Sequence, residues 1–250
     1  MKTTKELLLL MMQRYDIGKK PLSRLLGWGD TTVMRYLDGV EPNREFARRI
    51  EVLAQNPLEY ERLLRQSREQ ITDVAYRKSR QAVFREIFCD RSTEALQYVI
   101  MLADGDIAPY RAMTVLYYAQ VCSLVLRGVP LFEEEADFSP GQSLVYPRLY
   151  GQMKEYGIQP LRPEINSFSL EEQEYLKQVY HILNGYSPNA LKVLHVRAKR
   201  RIRRHLKSDA DRLSMDALKN QYESVFRKSG VETPGDLKLY FTDALNKTEN

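Results

Sequence analysis

Hydrophobic positions recur at helical spacing along nearly the whole chain, with almost none of the period-two alternation of a sheet. Leu22, Leu25 and Leu26 share one face of a short helix. Gly27 permits the left-handed conformation that closes it, and Val33 and Leu37, one turn apart, fold a second short helix back onto the first. Residues 21–39 therefore read as a helix-turn-helix, whose second helix offers its N-terminal residues to a major groove. Asp30, Thr31, Thr32, Met34, Arg35 and Tyr36 are the residues this pattern sends to DNA. Two features oppose it: Asp30 sets a carboxylate where phosphate repels it, and Gly29 stands where a Ser or Thr cap is usual. An ordinary helical hairpin, or a degenerate DNA-binding fold used only for dimerisation, is the competing reading.

Around this motif the pattern predicts further helices. Leu7 to Met12 form an apolar run too short to span a bilayer and followed at once by Gln13 and Arg14, so it reads as a core helix and not as a signal peptide. Pro42 and Asn43 start a helix through Phe46, Ile50 and Leu53, and Pro57 starts the next through Tyr60, Leu63 and Leu64. These five helices make a DNA-binding module over 1–70. The charged stretch that follows, 71–91, reads as a helical connector with a dimerisation or docking role.

A second module spans 92–250. Its central helix begins at Pro109 and is apolar almost all round from Val115 to Leu126, which marks a helix buried at the middle of a domain. Gly128 ends it, and an irregular stretch holding Pro140, Gly141 and Pro147 follows, with room for one short hairpin between Phe132 and Val145. Ser169 with Glu172 makes a capping box, Ser187 and Pro188 start another helix, and Ser214 caps a last long helix ending near Gly230. The expected fold is all-α.

Composition adds partners more than architecture. Lys and Arg outnumber Asp and Glu 38 to 33, which favours an acidic partner without reaching the charge of an architectural nucleic-acid protein. The charge is concentrated: Arg197, Lys199, Arg200, Arg201, Arg203, Arg204 and Lys207 fall within 197–207 with no acid between them. That run contacts an acidic face or nucleic acid, or is a solvated helix face neutralised by Glu171, Glu172 and Glu174 or by the acids of 133–137. Cys89 and Cys122 lack CxxC spacing, and His181, His195 and His205 lack a ligand at metal spacing. No catalytic motif, metal site or cofactor site is written in the chain, and a cytoplasmic protein with no membrane contact is expected.

Leu116, Tyr117, Tyr118, Ala119 and Gln120, then Gly128, Pro130, Leu131, Phe132, Glu133 and Glu134, carry a recognisable wording. It resembles the Panacea, or SocA-like, domain of phage-associated proteins and antitoxins. The order continues through Phe138, Pro140, Gly141, Val145, Pro147, Tyr150, Tyr156 and Gly157, and then through 170–180 and 186–195, with the basic run standing where the family has a Trp and acids. Leu26 to Gly29, Thr32, Arg35, Tyr36 and Gly39 resemble the regulator-type helix-turn-helix often fused in front of that domain. The resemblance implies a non-enzymatic antitoxin that binds a cognate protein toxin and represses its own operon through operator DNA, as a monomer or homodimer. Tyr110, Tyr117, Tyr118, Gln120 and Tyr150, with Arg197, Arg200, Arg201 and Arg204, are the candidate toxin contacts, although Tyr117 and Tyr118 also lie on the buried helix. A transcriptional regulator with an effector-sensing C-terminal domain and an adaptor delivering a client to a protease are the alternatives.

Overall fold

The computed structural model describes residues 2–138, 145–156, 167–203 and 212–246. The fold is all-α, with thirteen α-helices among these residues, and the chain divides into two compact units, Met1–Cys89 and Asp90–Asn250. None of the described helices is long and apolar enough to cross a membrane.

The first unit contains α1 (Thr4–Arg14), α2 (Lys19–Leu25), α3 (Thr32–Leu37), α4 (Arg44–Gln55), α5 (Pro57–Gln66) and α6 (Asp73–Ile87). A capping box starts α1: Glu6 N–H donates to Thr3 Oγ1 at 3.3 Å, and Thr3 N–H donates back to Glu6 Oε2 at 2.7 Å. Asn43 and Asn56 cap α4 and α5 through their side-chain oxygens. Leu8, Met11, Leu22, Leu25, Val33 and Ile50 form the core, each worth roughly 1.5–3 kcal/mol of burial. At its centre the Tyr15 and Tyr60 rings stack at 3.8 Å, with Tyr15 OH donating to Leu53 O at 2.9 Å.

The segment expected as a connector is built into this unit. Ala82, Val83, Phe84 and Phe88 are buried, Tyr60 OH and Ser79 Oγ share a hydrogen bond of 2.6 Å, and Arg14 pairs with Glu86 at 2.6 Å. Its charged residues form the outer side of an amphipathic helix, so the high local charge marked a surface and not a linker.

The second unit is arranged around α8 (Pro109–Cys122), whose residues from Ala112 to Cys122 are all buried. It is surrounded by α7 (Arg91–Leu102), α9 (Pro147–Tyr156), α10 (Leu170–Asn184), α11 (Pro188–Arg203) and α12 (Met215–Ser229); α13 (Leu237–Asn246) packs on α11 and α12. After α8 the chain widens into a π-turn, Ser123–Arg127, closed by Gly128 at φ +81°. Of the expected hairpin between Phe132 and Val145 one rung is seen, where Asp137 N–H donates to Val145 O at 2.8 Å. Its residues 139–144 lie outside the described ones, and β1 (Ala136–Asp137) pairs antiparallel with the distant β2 (Arg212–Leu213), Ala136 opposite Leu213. Two helices differ from expectation: α9 begins on the Pro147 of the supposedly irregular stretch, and α13 follows the last helix foreseen.

Candidate functional site

Helices α2 and α3 pack together as the hairpin expected over 21–39. The left-handed Gly27 (φ +73°) donates to Arg24 O, and Trp28 N–H donates to Ser23 O at 2.8 Å, which satisfies the carbonyls left open at the end of α2. The fully buried Ser23 hydroxyl accepts from Val33 N–H at 3.3 Å, tying the first turn of α3 to α2. Behind the hairpin, Trp28 stacks on Phe46 of α4 at 4.7 Å and takes the edge of Tyr36 at 5.7 Å.

The six residues sent to DNA divide accordingly. Thr31, Met34 and Arg35 are exposed on one side of α3, and Thr31 makes no capping hydrogen bond that would occupy its hydroxyl. Thr32 and Tyr36 are half-buried. Asp30 is turned to α2: Arg24 grips its carboxylate with two bonds of 2.8 and 3.1 Å, and Lys20 approaches at 3.1 Å. The bonds from Arg24, then Lys20, hold its carboxyl down at about 2. Its carboxylate is thus committed to α2, with its charge compensated by two cations.

In the second unit, Gln120 is a structural clamp. Its Oε1 accepts from Leu131 N–H at 2.7 Å, and its Nε2 donates to Phe132 O at 2.6 Å, all within the buried interior. This joins the two halves of the wording 116–120 and 130–132. It also removes Gln120 from the candidate toxin contacts. Tyr117 and Tyr118 leave that set for the same reason. Tyr117 OH donates to Tyr222 OH at 3.0 Å, and Tyr118 is enclosed by Phe241, Tyr240 and Tyr222. Burial pushes both phenols far above their ordinary range, so they stay neutral. Arg201 turns inward too. Its guanidinium lies 5.4 Å from the Tyr222 ring and 5.5 Å from the Tyr240 ring, and it donates to Tyr240 OH at 3.3 Å. Gln120, Tyr117 and Tyr118 are thus buried, and Arg201 is half-buried with its guanidinium turned to the aromatic interior.

The remaining candidates lie at the surface. Tyr110 is half-buried and meets the His195 ring edgewise at 6.0 Å, and Tyr150 is half-buried with Lys154 over its ring at 5.5 Å. Arg200 is exposed and Arg197 partly so, whereas Arg204 lies outside the described residues. Burial, then the Lys199 charge, lowers the His195 pKa, so its imidazole is neutral at pH 7.

Three of the acids expected to neutralise the basic run pair with other arginines. Glu172 pairs with Arg91 at 3.0 Å, Glu171 with Arg127 at 3.3 Å, and Glu134 pairs with Arg148. Arg148 also reaches Asp90 at 3.0 Å, and Arg91 donates to Leu131 O at 2.9 Å. Burial opposes ionisation of Asp90, but the bonds from Ser92, Arg148 and Thr93 N–H outweigh it and hold the carboxyl at about 2. This collar around the start of α7 is legible in sequence only as the N-cap Asp90; its long-range partners carry no local signal.

Among the described residues no three His, Cys, Asp or Glu side chains are grouped to hold a metal ion. No protein-family model, curated protein or solved structure matches the chain.

Proposed function

We propose that the chain is an antitoxin: its second unit binds and silences a protein toxin, and its first unit binds operator DNA. The observation that carries the first half is the Gln120 clamp, which makes one local structure of the residues whose wording resembles the Panacea domain. Support for the second half is the hairpin geometry of α2 and α3, with Thr31, Met34 and Arg35 outward and Asp30 neutralised by α2. The mechanism is stoichiometric occlusion, which asks for a surface and no catalytic group. A homodimer would set two copies of α3 about one DNA turn apart and give a palindromic operator.

The test is co-expression with the protein encoded beside this chain in its operon. Growth arrest by that protein alone, rescue by this chain and a stoichiometric complex on purification are expected. The hairpin by itself equally suits a transcriptional regulator; operator affinity that changes with an effector, without any rescue of growth, would favour that reading instead.

A further inference from the structure

Among the described residues, no ion pair is seen for Lys192, Arg197 or Arg200 on the outer face of α11. No Asp or Glu occurs anywhere in 175–208, and Glu134, Glu171 and Glu172 are engaged by Arg148, Arg127 and Arg91. At helical spacing, Lys192, Val196 and Arg200 recur at i, i+4 and i+8 on one exposed stripe, with Arg197 beside it. Val196 is 45% exposed at the middle of this stripe. Where α11 meets the start of α8, the Tyr110 and His195 rings form a half-buried rim next to it. Helix α11 itself is firmly seated, because Leu191, Leu194, Ala198 and Ile202 are buried on its opposite face.

We infer that this outer face of α11, rimmed by Tyr110, is the surface that receives the toxin, and that the matching surface of the toxin is acidic. The inference rests on the antitoxin reading and supplies it with a place and a partner chemistry. Charge complementarity selects acid, since like charges facing this stripe cost several kcal/mol. Protein is favoured over nucleic acid by the pattern within the stripe. A surface that binds single-stranded nucleic acid combines cations with exposed stacking rings. Here the centre of the stripe is the aliphatic Val196, and the nearby Tyr110 ring is turned against His195. An apolar anchor inside a charged surround is the arrangement of a protein interface.

The experiment uses the full chain with the protein encoded beside it, and reads both affinity and rescue of growth. Lys192→Glu combined with Arg200→Glu should weaken the complex on the order of a hundredfold and abolish rescue, and Val196→Asp should do the same. Arg200→Lys should keep both. All three positions tolerate these changes structurally if the thermal midpoint of each variant stays that of the wild type, which is measured alongside. Undiminished rescue by the double reversal, with the wild-type chain rescuing, overturns the surface and leaves the antitoxin reading standing. A wild-type chain that never rescues overturns both. Binding of a fluorescein-labelled single-stranded RNA 20-mer that the double reversal abolishes, while the protein complex survives, assigns the stripe to nucleic acid and also overturns the inference.

Discussion

The side-chain amide of Gln120 and the main chain of Phe132 face each other as complementary hydrogen-bonding groups: Nε2 donates to Phe132 O at 2.6 Å, while Oε1 accepts from the adjacent Leu131 N–H at 2.7 Å. An isolated loop could not bury those backbone groups, because each would lose its water without a replacement. Gln120→Leu keeps the volume and removes both partners. The second unit should lose about 2–4 kcal/mol, read as a lower denaturation midpoint. A midpoint unchanged within error would show that the loop finds other partners and that the clamp is dispensable.

Unit 1 yields a prediction from Tyr60. Its ring stacks on Tyr15, and its hydroxyl is bonded to Ser79 of α6. A fragment covering 2–89 should therefore melt cooperatively, whereas one covering 2–70 should expose Tyr60 and unfold at a markedly lower temperature. Tyr60→Phe in the longer fragment should cost about 1–2 kcal/mol, since it strands the buried Ser79 hydroxyl. Equal melting of the two fragments would return α6 to the role of a connector.

Much of this architecture was legible and some was not, for physical reasons that particular residues make plain. Caps are local chemistry, so Ser169 with Glu172, Ser214 and Gly230 stand where the sequence sets them. The all-round apolarity of 115–126 marked a buried helix, and it already argued against Tyr117 and Tyr118 as contacts. The pattern Leu237, Tyr240, Phe241 and Ala244 is a helical stripe whose start is obscured, because its Thr233–Asp236 capping box opens a 3-10 turn, Pro234–Asp236, ahead of the helix. Other relationships have no local signal. Nothing near Ala136 announces a partner at Leu213, and within a run of cations nothing distinguishes Arg201, which turns to Tyr222 and Tyr240, from the exposed Arg200.

Acid should weaken the second unit through Asp90. Its folded pKa of about 2 lies below the ordinary 3.8, so its contribution is present above 3.8 and is lost as pH falls through about 2. The side chain is 42% exposed, so solvent screening reduces the contribution to about 1 kcal/mol. Asp90→Asn should accordingly be less stable at pH 6 and lose part of the difference in midpoint between pH 6 and pH 2.5. A variant whose midpoint keeps the full wild-type difference would remove Asp90 as the group responsible and leave Glu172, also lowered, as the other acid in the collar.

Operator binding provides the sharpest separation of the two units. Arg35 is exposed on α3 and no ion pair of the hairpin includes it, whereas Arg24 is committed to Asp30. If α3 enters a major groove, Arg35→Ala should weaken binding to the promoter fragment by about 1–3 kcal/mol, and Thr32→Ala by less because its side chain is half-buried. Arg24→Ala should act differently. It releases Asp30, restores a carboxylate near phosphate and loosens the start of α3, so it weakens all sequences together. Fluorescence anisotropy at two salt concentrations distinguishes these effects, and rescue of growth by each variant is measured in parallel. Rescue unchanged while DNA affinity falls is the expected result. Loss of rescue by Arg35→Ala would mean that the first unit also takes part in neutralisation.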